Sequence, residues 1–276
     1  MLSKQAPPTK STEFNIVFIH GWGMNKGVWE AIFPQLDKMQ QALREQGING
    51  NLQFVDLLGY GERAEVGKGK EVASFDLQSL CDDLNLRVPK NAILVGWSLG
   101  GLVASQLAVK REDIMGLVTV SSSPKFAETE DWPGIKVDVL KKFKSQLVEQ
   151  TQSTIKRFIA IQNMGIDNQR QQNKLIQDNI FKYPAASGSA LSDGLDILLN
   201  EDLRSTWSRI TCPHLAIFGY LDSLVPRQVI PYIQACTSHT EVEVLRKAAH
   251  APFLSHTEAF IASLQHFLLN LAVIKN

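Results

Sequence analysis

The chain has 276 residues, 44% of them hydrophobic and 20% charged, a composition that excludes a disordered, collagen-like or coiled-coil protein. Its 28 basic and 28 acidic side chains give a formal net charge of zero, which argues against general nucleic-acid binding. The three cysteines, Cys81, Cys212 and Cys236, form no CxxC pair and no zinc spacing, so we expect reduced, buried thiols.

Up to residue 120, short apolar runs of β-forming residues alternate with segments of helical spacing. Strands are predicted at residues 16–19, 52–57, 92–95 and 117–120. Helices are predicted between them at residues 28–46, 76–86 and 99–110, the first broken near Pro34. Strands that alternate with helices pair in parallel, so this pattern predicts a doubly wound sheet.

The alternation stops after residue 123. Apolar residues recur every three or four positions over residues 140–162, and helices are also predicted at residues 169–181 and 191–199. Strands resume at residues 215–219 and 241–245, before a last helix over residues 257–273. We therefore predict a core formed by residues 1–123 and 204–276, with a helical cap formed by residues 124–203.

Residues 92–109 carry no charge over 18 positions, just long enough for a membrane-span candidate. Glycines and polar residues interrupt this window, so it is interpreted as a buried strand, a sharp turn and a buried helix. Residues 1–14 are polar and lack the apolar core of a signal peptide. We expect a cytoplasmic protein without a membrane partner.

A G-x-S-x-G pattern occupies Gly96-Trp97-Ser98-Leu99-Gly100, between a predicted buried strand and a predicted helix. In this context the pattern forms a sharp turn that carries a nucleophilic serine. Glycines stand two residues before and two residues after the serine because larger side chains there would clash in so tight a turn. The pattern predicts Ser98 as a nucleophile at the carboxyl end of the sheet, where open α/β sheets bind ligands.

A serine nucleophile needs a general base, and that base needs an orienting group. His250 follows a predicted strand and lies among small residues, so it is predicted as the base. Asp222 follows another predicted strand and is predicted to orient it. The order Ser98, Asp222, His250 is the order of the α/β-hydrolase fold. Four other histidines are interpreted as surface or helix-face residues: His214, His239, His256 and His266.

An oxyanion hole needs backbone N–H groups aimed at developing negative charge. One is expected from Leu99, the residue after the nucleophile. The other is expected from Trp22, in the glycine-rich loop after the first strand, where Gly21 and Gly23 give the backbone freedom. His20 in the same loop is interpreted as a structural hydrogen-bonding residue.

Five segments carry a family resemblance: GWG at 21–23, GWSLGGLVAS at 96–105, DWPGIK at 131–136, GYLDSLVPR at 219–227 and KAAHAPF at 247–253. From Asn15 to the C-terminus the chain resembles the α/β hydrolases, and among them the pimeloyl-[acyl-carrier protein] methyl ester esterases of bacterial biotin synthesis. The resemblance implies an α/β-hydrolase fold, with a mostly parallel doubly wound sheet and an inserted helical cap. It implies a serine carboxylesterase that frees the ω-carboxylate of a carrier-bound acyl chain. It also implies that a cap segment contacts that chain: Phe158, Ile159, Ala160, Ile161 and Gln162.

The local charge of the predicted cap agrees with an acidic carrier protein as partner. Residues 136–182 contain nine Lys or Arg and four Asp or Glu, a net charge of +5 in a chain of net zero. Three of these cations are predicted to dock the carrier: Arg157, Arg170 and Lys174. We expect a monomer that binds no nucleic acid and needs no metal and no organic cofactor.

Two alternatives stay open at the level of sequence. The chain could be a broad-specificity carboxylesterase or C–C bond hydrolase for small free substrates, or a non-catalytic ligand receptor on a hydrolase scaffold. Two features depart from the resemblance: Leu58 stands where α/β hydrolases usually carry Pro, and residues 66–73, with two Lys and two Gly, have no assigned role.

Overall fold

The computed structural model describes residues 12–65, 74–237 and 239–275, so the lysine-rich segment 66–73 lies outside the described residues. Six parallel strands form one sheet in the order β2-β1-β3-β4-β5-β6. They are β1 (Thr12–Ile19), β2 (Ile48–Val55), β3 (Ala92–Trp97), β4 (Gly116–Val120), β5 (His214–Gly219) and β6 (Thr240–Leu245). The six predicted strands are confirmed.

Ten α-helices connect and cover these strands within the described residues. They are α1 (Phe33–Glu45), α2 (Leu77–Asn85), α3 (Leu99–Lys110), α4 (Val137–Gln162), α5 (Gln169–Ile180), α6 (Gly188–Asn200), α7 (Arg204–Trp207), α8 (Ile230–Cys236), α9 (Pro252–Ser255) and α10 (Thr257–Lys275). A 3₁₀ turn over Lys26–Ile32 precedes α1, which has Pro34 in its first turn, so the predicted break lies just before that proline.

The strands β3, β4 and β5 are buried along their whole length, as expected for a parallel sheet that is covered on both faces. Helix α1 packs against α10, and α2 packs against α3, so two helix pairs enclose the sheet. The prediction of a doubly wound α/β fold is confirmed. This arrangement brings the loops at the carboxyl ends of β1, β3, β5 and β6 to one edge.

Between β4 and β5 the regular secondary structure of the described chain is helical, apart from two isolated bridges, Ala127 with Ile135 and Thr129 with Trp132. We call α4, α5 and α6 the helical insertion. Helix α4 packs against both α5 and α6, and it bends at Gln150, whose φ of −143° and ψ of 58° are not helical. The sequence predicted these three helices, but its apolar stripe did not indicate the bend.

One helix among the described residues is apolar and long enough for a membrane span by length and composition, over Thr257–Ile274 with a mean hydropathy of 1.3. Of this window, 44% is buried in the protein. Its side chains Phe260, Leu264 and Leu268 are fully buried where α10 packs on α1, α9 and β6. The uncharged window at residues 92–109 forms β3, the following turn and α3, as predicted.

The interpretation of His214 as a surface residue is wrong. This side chain is buried at the start of β5, where its two ring nitrogens each lie 2.9 Å from a threonine hydroxyl, of Thr119 and of Thr240. Its position just before an apolar run suggested a loop, but β5 begins one residue earlier than that run. Burial lowers the pKa of His214 from its ordinary 6.5 to about 3.

This buried imidazole predicts a loss of stability in acid. Below about pH 6.5 the unfolded state takes up a proton at His214 while the folded state does not. The contribution of His214 to the free energy of unfolding is therefore fully present above pH 6.5 and is lost as the pH falls toward 3. The free energy of unfolding should fall by up to about 1.4 kcal/mol per pH unit in this window. Urea unfolding at several pH values should give a flatter dependence for His214→Gln. The exposed control His266→Gln should follow the wild type, and equal slopes in all three proteins would contradict the assignment.

Candidate active site

The turn between β3 and α3 holds Ser98 in a strained backbone conformation, with φ of 54° and ψ of −119°. The flanking glycines are required because the chain passes so close to itself. A Cβ on Gly96 would lie 2.5 Å from the carbonyl oxygen of Gly100, and one on Gly100 would lie 2.5 Å from that of His20. This strand-turn-helix geometry is the one the G-x-S-x-G pattern predicted.

Three predicted residues, far apart in sequence, are hydrogen-bonded in series. His250 Nε2 lies 2.9 Å from Ser98 Oγ, and His250 Nδ1 lies 2.8 Å from Asp222 Oδ2. Ser98 and His250 are each 1% exposed and Asp222 is 5% exposed. This is the Ser, His, Asp arrangement typical of α/β hydrolases, in which the histidine accepts the serine proton and the carboxylate fixes the imidazole tautomer.

The carboxylate of Asp222 is itself oriented by the backbone. Its Oδ1 accepts hydrogen bonds from the N–H groups of Leu224 (2.8 Å) and Val225 (2.9 Å). This leaves Oδ2 free to accept the Nδ1–H of His250, so Nε2 carries a lone pair toward the hydroxyl of Ser98. The two backbone donors were not predicted, because nothing in the sequence shows which loop atoms turn toward a side chain.

Two long-range contacts hold the backbone of His250. The indole Nε1 of Trp97, the residue before the nucleophile, donates to the His250 carbonyl at 2.8 Å. The His250 N–H donates to the carbonyl of Gln162, at the end of α4, at 3.0 Å. Neither contact was predicted, and a tryptophan inside the G-x-S-x-G pattern was the one available signal for the first. The helical insertion therefore contacts the histidine loop directly.

The loop after β1 passes beside the nucleophile. A Cβ on Gly21 would lie 3.1 Å from Ser98 Cβ, and Trp22 and Leu99 are both fully buried. Among the described residues, neither the Trp22 N–H nor the Leu99 N–H donates to a protein acceptor. Neither N–H group is therefore engaged by the protein, and their role as an oxyanion hole stays a prediction.

His20 takes the structural position expected for it. Its Nδ1 lies 2.8 Å from the Gly21 carbonyl and its Nε2 accepts the Leu57 N–H at 3.1 Å. Burial lowers the pKa of His20, which keeps the ring neutral. His20 thus ties the loop after β1 to the loop after β2.

The predicted acyl-contact segment borders this site at both ends. The Phe158 ring packs edge-on against the Trp22 ring, with centroids 4.7 Å apart, and Gln162 bonds His250 as described above. Both amide atoms of the Gln162 side chain are buried without a partner among the described residues. For Ile159, which is buried, and for Ala160 and Ile161, which are half-buried, contact with an acyl chain stays a prediction.

The three predicted docking cations lie on the outer surface of the helical insertion. Arg157, Arg170 and Lys174 are all exposed, and none of them forms an ion pair with another described residue. Arg157 contacts Gln146 at 3.2 Å. Arg170 and Lys174 lie one turn apart on α5.

No group of three or more His, Cys, Asp or Glu side chains able to hold a metal ion occurs in the described parts of the chain. Cys81, Cys212 and Cys236 are unpaired thiols, of which only Cys81 is buried, so the expectation of burial is wrong for Cys212 and Cys236. The side chains hydrogen-bonded in series at this edge are those of Ser98, His250 and Asp222.

The family model of the alpha/beta hydrolases matches residues 16–263. Solved structures agree: a bromoperoxidase from Bacillus anthracis has a TM-score of 0.77 at 21% identity, covering 94% of this chain and 92% of that one. An esterase from Exiguobacterium antarcticum has a TM-score of 0.74 at 22% identity, covering 93% and 92%. The chain therefore belongs to the alpha/beta hydrolase family.

Two relatives within this family carry one and the same name. The chain is 41% identical over 247 residues to the pimeloyl-[acyl-carrier protein] methyl ester esterase of Klebsiella pneumoniae, covering 89% of this chain and 90% of that one. It is 40% identical over 254 residues to the esterase of the same name from Photorhabdus laumondii, covering 92% and 91%.

Proposed function

We propose that this chain is a serine carboxylesterase that hydrolyses the methyl ester of pimeloyl-[acyl-carrier protein] in biotin biosynthesis. The products are methanol and the free ω-carboxylate. The observation that carries this proposal is the hydrogen-bonded series of Ser98, His250 and Asp222 in a chain about 40% identical, over nine-tenths of its length, to esterases named for this reaction.

The geometry supports a two-step acyl transfer. His250 Nε2 takes the proton of Ser98 as Oγ attacks the ester carbonyl, and the N–H groups of Trp22 and Leu99 stabilise the oxyanion. The imidazolium then protonates the departing methoxy oxygen, and methanol leaves an acyl-enzyme. Water, deprotonated by His250, attacks the acyl-enzyme, and the proton returns to Ser98 Oγ as the carboxylate is released.

The surroundings of the triad support an acyl site at the end of α4. The Phe158 ring packs on Trp22, whose loop passes beside Ser98, and Gln162, whose carbonyl accepts the His250 N–H, has a buried side-chain amide without a partner among the described residues. A buried amide without a hydrogen-bond partner costs about 1–3 kcal/mol, which a polar atom of the substrate would offset. We propose that the segment from Phe158 to Gln162 lines the acyl site.

The position of the helical insertion, next to the histidine loop, supports the proposal that it forms a cap over this site. We propose that residues 124–203 form the cap and that residues 1–123 and 204–276 form the core. In this arrangement the acidic carrier protein docks outside on Arg157, Arg170 and Lys174 while its acyl chain reaches Ser98 inside. We further propose that the enzyme acts in the cytoplasm as a monomer.

Complementation tests the proposed function directly. A biotin-requiring strain that lacks its own esterase of this kind should grow without biotin when supplied with this chain, and should not grow with the Ser98→Ala variant. Absence of growth with a soluble, p-nitrophenyl acetate-hydrolysing wild type would favour the broad-specificity alternative. Absence of any ester hydrolysis would favour the receptor alternative.

The docking residues predict a substrate-selective loss of affinity. Exposed charge pairs contribute about 0.2–1 kcal/mol each, so three together can raise KM by tenfold or more, since about 1.4 kcal/mol is one decade. We expect Arg157→Glu/Arg170→Glu/Lys174→Glu to raise KM for the carrier-bound methyl ester, and added salt to weaken the wild type similarly. Hydrolysis of p-nitrophenyl acetate should stay nearly constant in both cases.

A matched triple charge reversal on the core is the control for this experiment. Lys38, Arg44 and Lys90 are exposed outside the helical insertion, and Lys38→Glu/Arg44→Glu/Lys90→Glu should leave KM for the carrier-bound ester nearly unchanged. Docking on the cap would be contradicted if both triple variants changed KM equally, or if neither changed it.

A further inference from the structure

The side chain of Trp22 is fixed by the helical insertion and not by its own loop. Its indole Nε1 donates to the carbonyl of Leu191 in α6 at 2.8 Å, and its ring packs edge-on against Phe158 of α4. The backbone of Trp22 lies between Gly21 and Gly23, and Gly23 has a φ of +71°. The peptide that carries the Trp22 N–H is held on its carbonyl side within the loop, where Gly21 O lies 2.8 Å from His20 Nδ1 and accepts the Met24 N–H at 3.3 Å. The bond of the indole to Leu191 adds a restraint from outside the loop, at the Cα that follows this peptide.

The same turn of α6 is docked firmly on the core. The Tyr60 hydroxyl, in the loop after β2, donates to the Ala190 carbonyl at 2.9 Å. Burial raises the pKa of Tyr60 far above its ordinary value, so the hydroxyl stays a donor. Gly194 permits this close approach, since a Cβ there would lie 2.6 Å from Tyr60 Oη and 2.7 Å from Trp22 Cδ1.

A buried indole does not by itself require such a partner in this protein. Trp29 and Trp207 are as fully buried as Trp22, yet the Nε1 atom of each has no hydrogen-bond partner in the described part of the chain. The bond from Trp22 to Leu191 is therefore a specific contact between the oxyanion loop and α6.

We infer that α6 is a positioning element for the oxyanion hole, which it holds together with the loop's own contacts at the Gly21 carbonyl, through the bond from the Trp22 indole to the Leu191 carbonyl. The inference rests on the proposed function in one respect, the assignment of the Trp22 N–H to the oxyanion. We assign Leu191 and Gly194 no contact with a reacting atom. They act through Trp22, so substitutions at these positions should change kcat and should leave binding of the substrate in its ground state unchanged.

The test replaces the indole and retains the backbone N–H. Trp22→Phe keeps an aromatic ring but removes the bond to Leu191, so we expect kcat for p-nitrophenyl acetate to fall by about 10- to 100-fold, with KM within about twofold of the wild type. Burst amplitude gives the fraction of competent sites and corrects for misfolded protein. The inhibition constant of phenylboronic acid, whose serine adduct places an oxygen in the oxyanion hole, should rise by a similar factor.

The matched control is Trp207→Phe, which removes an equally buried indole whose Nε1 has no such bond. It should keep both kcat and the boronic acid affinity. A second pair tests the anchor from the side of α6: Gly194→Ala should lower kcat and boronic acid affinity together. Gly188→Ala in the same helix, where a Cβ meets nothing within 4 Å, should lower neither.

The inference is overturned if Trp22→Phe and Gly194→Ala retain wild-type kcat per competent site, or if they lose activity only through KM. It is also overturned if Trp207→Phe and Gly188→Ala lose as much as their partners. These measurements use a small free ester. If the wild type hydrolysed that ester but not the carrier-bound methyl ester, the proposed function would be contradicted, and the comparison of the four variants would still test the role of α6.

Discussion

Replacing Ser98 with alanine should lower kcat by about 10⁴- to 10⁶-fold for every ester substrate. The substitution removes the Oγ atom that lies 2.9 Å from His250 Nε2, and with it the only nucleophile that the geometry offers an ester carbonyl at this turn. The methyl side chain fits where the hydroxymethyl group stood, so the fold should persist. Rates per folded molecule, with folding checked by circular dichroism, measure the effect.

The control for this variant is a second buried serine on the next helix. Ser105 donates its hydroxyl to the Gly101 carbonyl at 2.7 Å inside α3, and Ser105→Ala should keep most of the activity. A folded Ser98→Ala protein with more than about a tenth of the wild-type rate would show that another group attacks the ester.

The substitution Asp222→Asn should lower kcat by roughly 10⁴-fold while leaving KM and the fold largely unchanged. The Leu224 and Val225 N–H groups require an acceptor at the Oδ1 position, so the asparagine amide nitrogen must take the Oδ2 position facing His250. That NH₂ group donates to Nδ1, which moves the imidazole proton to Nε2. Nε2 then has no lone pair to accept the proton of Ser98.

An exposed aspartate elsewhere gives the comparison for this prediction. Asp37→Asn on α1 should match the wild type, because this carboxylate lies on the surface of the core. A loss of tenfold or less in Asp222→Asn, measured at the pH optimum, would mean that another group orients His250.

Much of the fold could be predicted because continuous runs of apolar side chains indicate strands that are buried on both faces. The uniformly buried strands β3, β4 and β5 are continuous apolar runs, and their positions were predicted to within one or two residues. Strand β2 was predicted to begin four residues late and to end two residues late; its first half carries Asn49 and Asn51 at a half-covered sheet edge. The short helices α7, α8 and α9 were missed, since four to seven residues are too few for a periodic pattern.

At the site, the sequence indicated the residues whose side chains take part in the reaction. It did not indicate the residues that accept hydrogen bonds through their backbone carbonyls. Ser98, Asp222 and His250 follow strands of a parallel sheet, so the topology brings them to one edge. The Trp97 bond to the His250 carbonyl and the Trp22 bond to the Leu191 carbonyl join residues 153 and 169 positions apart. Any residue can supply a carbonyl, so no pattern of residue types predicts these acceptors.

Mass spectrometry of the carrier protein after reaction with the purified enzyme tests the central claim most directly. Methyl pimeloyl-[acyl-carrier protein] incubated with the wild type should lose the mass of one methylene group as the ester becomes a carboxylic acid, with one methanol released per carrier. Incubation with Ser98→Ala should leave the mass unchanged. A carrier that stays fully methylated with the active wild type, or that loses its whole acyl chain to a free thiol, would contradict the account.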